Sequence, residues 1–150
     1  MLKPVDQKSI ISQLPYSQPF LFVDEILEID ENSVTGEYTF SAGQEFYKGH
    51  FKDSPITPGV ILTECMAQIG VVCLGIFLLK KSDSDSENPK IALSSSEVEY
   101  FKPVYPGETV KVISEKIYFR FNKLKCKVEM FSSKGELICK GTIAGMMLTK

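Results

Sequence analysis

A chain of 150 residues, 43% hydrophobic and 24% charged, suits a single domain spanning residues 1–150, because one core of that size buries roughly two-thirds of the surface the unfolded chain exposes. A net charge of -2 without a long block of either sign argues against a nucleic-acid-binding face and against a basic membrane-surface helix. Four cysteines, Cys65, Cys73, Cys126 and Cys139, lack CxxC or CxxH spacing, and the sole histidine, His50, does not complete a zinc quartet, so neither a metal nor another cofactor is expected.

In chain order, MLKPVDQKSI lacks the apolar core of a signal peptide, which predicts a cytoplasmic chain with reduced thiols. Residues 3–13 are expected to form a short helix ended by Leu14-Pro15, since the residue before a proline is steered out of helical torsions. PFLFVDEILEID, residues 19–30, begins an extended segment; Asp30-Glu31-Asn32-Ser33 turns the chain, and residues 34–41 return as a second strand, a hairpin. Residues 42–57, punctuated by Gly and Pro, predict a loop with one helical turn at 44–48, and this loop carries His50.

Pro58 is tolerated at the first position of a helix, with Thr57 as its N-cap, and the apolar run that follows predicts a long helix to about Lys81. Residues 59–79 followed by Lys80 and Lys81 also fit a short membrane helix with a basic flank. Glu64 and Gln68 oppose that reading, since a carboxylate in lipid costs some kcal/mol, and the strand-rich remainder needs a helix to cover it. A core helix wrapped on all sides, with no membrane insertion, is therefore expected. KKSDSDSENP, residues 80–89, predicts a polar linker, and Pro89 cannot continue a helix. Strands follow at 91–100, 108–119, 121–132 and 136–148, broken at Pro106-Gly107 and at Ser132-Ser133-Lys134-Gly135 by residues that favour turns. Strands, one buried helix and more strands make an α+β pattern: a hotdog fold, with an antiparallel β-sheet wrapped around one long central helix.

In KGHFKDSPITPGVILTECMAQ, His50 lies on a turn beside Gly49, and Glu64, fourteen residues on, interrupts an otherwise apolar run. An imidazole can take or give a proton near neutral pH. A carboxyl among Val60, Ile61, Leu62, Cys65, Met66 and Ala67 should be raised in pKa and kept as a proton donor. The pair reads as a base and an acid. Gly59 follows Pro58, which has no N–H, so Gly59 is the first free donor at the positive end of the helix, a place to hold an oxyanion. Gln68 is one turn after Glu64 on the same face and can hydrogen-bond the carboxyl. Met66, Ile69 and Cys73 on the helix face, with Phe46 and Phe51 near the mouth, are candidate walls of an apolar tunnel.

GHFKDSPITPGVILTECMAQIG, flanked by LPYSQPFLFVD and EVEYFKPVYPGETV in that order, resembles the signature of FabZ-type 3-hydroxyacyl-acyl-carrier-protein dehydratases over nearly the whole chain. Three positions depart from it. Lys52 stands for the family's Pro after GHF, Tyr16 for the His of its opening segment, and Phe101 for an Arg before the later Pro-Val. The resemblance implies dehydration of a 3-hydroxyacyl thioester on acyl carrier protein to the trans-2-enoyl thioester, in fatty-acid or a related polyene or polyketide-like synthesis. It implies His50 as base, Glu64 as acid, and Gly59, Phe51 and Gln68 around the substrate. It also implies a homodimer or a trimer of dimers, with Glu64 of one subunit facing His50 of the other.

Two further readings share the fold: a hotdog acyl thioesterase, in which a carboxylate activates water or attacks directly, and a non-catalytic carrier-protein-binding subunit. An enoyl-hydratase type has an Asp five residues before its catalytic His, where Glu45 stands here, but its Asn-Pro is missing.

Overall fold

The computed structural model describes residues 4–81 and 90–148. Helix α1, Pro4–Ser12, precedes β1, Glu25–Ile29, and β2, Ser33–Thr39. A single 3-10 turn, Glu45–Lys48, leads to the central helix, Gly59–Lys81. Four long strands complete the chain: β3, Lys90–Tyr100; β4, Thr109–Arg120; β5, Lys123–Ser132; and β6, Leu137–Leu148. All pair antiparallel in one sheet of order β1-β2-β4-β5-β6-β3, which wraps the central helix in the hotdog arrangement.

Period-two alternation makes the sheet's inner face. Val110, Val112 and Ser114 of β4 and Leu124, Cys126, Val128 and Met130 of β5 are buried, and the residues between them are more exposed. Against this face the helix buries Leu62, Cys65, Met66, Ile69, Cys73 and Leu74, each large side chain worth about 1.5–3 kcal/mol of transfer free energy. Of the most apolar stretch of this helix, 78% is buried inside the protein. Its length and hydropathy would let it cross a membrane, but the sheet already occupies the place that lipid would take.

The helix winds more loosely from Gln68 to Cys73, as a π stretch between two α segments. Such widening leaves carbonyls aimed off the ladder. Ser114 Oγ, fully buried on β4, donates to the Gly70 carbonyl at 2.9 Å. A Cβ on Gly70 would meet the Ser114 Cβ at 3.0 Å and Val128 at 3.1 Å, so glycine lets helix and sheet approach this closely.

Several sequence expectations shift. Residues 19–24 are not strand; β1 starts at Glu25. Thr57 is not a helix cap: Pro58 takes that position without a side-chain bond, and the buried Thr57 hydroxyl pairs with Tyr47 Oη at 2.5 Å. Thr57 is spent on anchoring the His50 loop instead. Phe121 belongs to no strand. With Asn122 it forms a two-residue turn at φ 53° and 60° between the paired Arg120 and Lys123, the left-handed geometry that matches strand twist. Of the predicted linker, residues 82–89 lie outside the described residues.

The two edges of the sheet differ. Along β1, α1 packs and Gln7 Nε2 donates to the Leu27 carbonyl at 3.1 Å. Among the described residues β3 bonds β6 on one side only, and most of its side chains are exposed, Leu93 at 53% among them. An open strand edge of this length is a template for pairing with another chain.

Candidate active site

The His50 loop is closed upon itself. Ile56 N–H donates to the His50 carbonyl at 2.9 Å, and His50 Nδ1 lies 2.8 Å from the Ile56 carbonyl. A carbonyl only accepts, so in the neutral imidazole Nδ1 is the nitrogen that carries the proton and Nε2 the one with the lone pair. The loop is tied down beyond this ring by Thr57 N–H to the Val104 carbonyl at 2.9 Å. Phe51, 56% exposed, follows through a cis peptide bond and stacks on the imidazole with ring centroids 3.9 Å apart. The half-buried imidazole thus has one nitrogen fixed and one face covered.

Glu64 projects from the second turn of the central helix, half-buried. Burial raises its carboxyl above the ordinary value of 4.5, opposed by a hydrogen bond from Gln68. Gln68 is fully buried and fully used. Its Nε2 donates to Glu64 Oε2 and to the Phe20 carbonyl, both at 3.0 Å, while its Oε1 accepts from Phe22 N–H at 2.8 Å. One amide therefore locks the carboxyl to the opening segment of the chain. Gln68→Leu should cost about 1–3 kcal/mol for the groups left unpaired and move the Glu64 pKa further up, because a donor to the charged form is lost. Urea unfolding and the alkaline limb of any activity profile would report these two effects.

At the helix start, Pro58 O accepts from Ile61 and Leu62 N–H, and the Gly59 N–H has no acceptor among the described residues. A Cβ on Gly59 would lie 3.3 Å from the Tyr100 ring, whose hydroxyl is hydrogen-bonded to Thr63 Oγ1. The free donor thus sits beneath the last residue of β3.

Glu64 lines a cavity of about 80 Å³ together with Tyr16, Ala67, Val71, Ile91 and Leu93. His50 does not line it. Within one chain the structure brings together Glu64 with Gln68 and His50 with Phe51, and among the described residues no hydrogen bond or ion pair joins the two pairs. Among the tunnel candidates, Met66, Ile69 and Cys73 are fully buried core; the Met66 sulfur, for instance, is 3.8 Å from the Cys139 thiol. Phe46 lines a separate groove of about 720 Å³ with Phe20, Phe22, Tyr38 and Ile61. Glu45 pairs with Lys48 at 3.1 Å on the surface, both ends well exposed, and takes no part in the His50 loop. Sequence reasoning passed over Tyr16 and Leu93 as site residues; the only signal was that Tyr16 departs from the motif its neighbours follow.

Comparison with known proteins bears on the family and the fold. Residues 14–145 match the family model described as a FabA-like domain. The 3-hydroxyacyl-[acyl-carrier-protein] dehydratase FabZ of Wolbachia sp. subsp. Brugia malayi is 37% identical over 142 residues, covering 92% of this chain and 93% of the relative. That of Anaplasma marginale (strain Florida) is 33% identical over 150 residues, covering 98% and 99%. Among solved structures, the dehydratase heterocomplex ApeI:P from Xenorhabdus doucetiae superposes with a TM-score of 0.79 at 16% identity, covering 100% of this chain and 94% of that one. A hypothetical thioesterase with coenzyme A from Streptococcus pneumoniae TIGR4 gives 0.61 at 14% identity, covering 83% and 84%. At such identities the two solved structures speak for the shared fold alone.

Proposed function

Because the chain belongs to the FabA-like family, we propose that it is a hydro-lyase that converts a 3-hydroxyacyl thioester on acyl carrier protein to the trans-2-enoyl thioester in fatty-acid biosynthesis. The observation that carries the reading is Glu64: a carboxyl raised by burial, held by a fully buried amide and facing a small, mostly apolar cavity. Such a group stays protonated where surface carboxylates do not, which is what an acid for a leaving hydroxyl requires.

His50 is the base. With Nδ1–H donating to the Ile56 carbonyl, Nε2 removes the proton from C2 of the substrate. The electrons of that bond become the C2=C3 double bond, the C3–O bond breaks, and the oxygen leaves as water with the proton of Glu64. Charge builds on the thioester oxygen meanwhile, and the Gly59 N–H at the helix start stabilises it. Phe51 covers one face of the imidazole, and Gln68 orients the acid. The imidazolium and carboxylate that remain exchange their proton through solvent before the next turnover.

The two groups meet across a homodimer, His50 of one copy opposite Glu64 of the other. Three features support this: His50 is absent from the Glu64 cavity, β3 has a free edge, and Val60 at the helix start is 75% exposed. The carrier protein delivers its substrate on a phosphopantetheine arm, in a reducing, cytoplasmic setting that suits four buried free thiols.

One assay tests the reading. Incubated with a 3-hydroxyacyl thioester, the protein should produce the absorbance of a conjugated enoyl thioester with no release of free thiol. Thiol release without enoyl formation would make it a thioesterase, and neither signal would leave only a binding subunit.

A further inference from the structure

The cavity beside Glu64 contains a second polar side chain that the reaction as described does not use. Of the residues that line it, Tyr16 and Glu64 alone carry side-chain oxygen; the others, among them Ala67, Val71, Ile91 and Leu93, are apolar. Tyr16 is half-buried against the core, and its hydroxyl makes no hydrogen bond among the described residues. One oxygen of Glu64 is taken by Gln68, so the other is available to the cavity. A volume of about 80 Å³ exceeds the roughly 10–15 Å³ that a single water needs, and a held water needs at least two polar partners. The cavity offers that minimum, a carboxyl and a phenol.

We propose that this cavity receives the water expelled from C3, and that the Tyr16 hydroxyl is the positioning group that holds this water against Glu64. The inference rests on the dehydratase reading of the same site. As the C3–O bond breaks, Glu64 gives up its proton and the new water finds itself between a fresh carboxylate and the phenol. The water donates to the carboxylate and accepts from Tyr16, so the leaving oxygen is steadied while the bond to carbon is still partly made. The reverse addition of water to the enoyl thioester draws on the same molecule in the same place. Burial and the neighbouring Glu64 push the Tyr16 phenol up to about 12, so it remains a donor throughout the neutral range.

Full-chain Tyr16→Phe keeps the ring and removes the hydroxyl, and Tyr16→His restores a ring N–H. Both would be assayed in the dehydration and hydration directions. Tyr16→Phe should lose about tenfold in kcat in each direction, the worth of one hydrogen bond made in the transition state. KM should stay within about twofold, the thermal midpoint should be unchanged, and Tyr16→His should recover most of the rate. An unchanged kcat in Tyr16→Phe, a change confined to KM, or no recovery in Tyr16→His would each overturn the proposal. His50→Ala and Glu64→Gln run beside them separate the two levels. If those also turn over normally the dehydratase reading itself fails, whereas if only Tyr16→Phe is normal the water seat alone fails.

Discussion

His50→Ala is expected to slow enoyl thioester formation by about 10²- to 10⁴-fold, the usual contribution of a positioned general base. The effect should fall on kcat, because the imidazole contributes to the proton transfer rather than to gripping the carrier or the acyl chain. Stability should change little. The loop keeps its backbone ring through Ile56 N–H and its anchor through Thr57, and Ile56, whose carbonyl loses the Nδ1 bond, is only partly buried, so water can replace the donor. Near-normal turnover in a folded His50→Ala protein would remove the base from the mechanism and favour the non-catalytic alternative.

Glu64→Gln should lose a comparable 10²- to 10⁴-fold, since an amide cannot transfer a proton to the departing oxygen. This variant also separates one-chain from two-chain sites. Mixed with His50→Ala subunits and allowed to exchange, it should regain activity: each hybrid dimer contains one intact pair, the His50 of the Glu64→Gln subunit with the Glu64 of the other. A site built within one chain would stay dead in every hybrid. Native mass spectrometry, which resolves the hybrid dimer from the two parental dimers by mass, checks that subunits have exchanged.

The contribution of Glu64 to stability should fall as pH rises. Glu64 has a raised pKa in the folded protein, so its contribution to stability is complete below the ordinary carboxylate range and is lost as pH rises through the folded value. Wild type should therefore lose ground relative to Glu64→Gln as pH increases, and match it most closely in acid. Urea midpoints measured across that range test the sign. A gap that widens toward low pH would contradict burial as the cause of the shift.

Much of the architecture was legible because its signals are short-range. Alternation along β4 and β5 has a period of two residues, and Ser132 to Gly135 marks its own turn, with Gly135 at φ 83°. Pro58 followed by a long, mostly apolar run announced the central helix. Phe121 shows the limit of such reading, as an aromatic residue in a left-handed turn contradicts its own strand preference, and the neighbouring Asn122 was the better guide. Thr57 looked like a cap by sequence position, yet its hydroxyl found Tyr47, a partner that helix-start statistics do not include.

By itself the sequence determined the fold class and placed His50 and Glu64 on one turn and one helix, because both sit in a single continuous motif. Only the tertiary structure decided which groups surround them: Gln68 clamped to the backbone of Phe20 and Phe22, Ile56 selecting the imidazole tautomer, Tyr16 and Leu93 sharing the cavity of Glu64, and Met66, Ile69 and Cys73 turned into the core. The central helix is apolar on nearly every side, so its periodicity does not say which face meets the sheet and which meets a cavity. Proton affinity and cavity shape are set by neighbours far away along the chain, and those become neighbours only when the sheet closes around the helix.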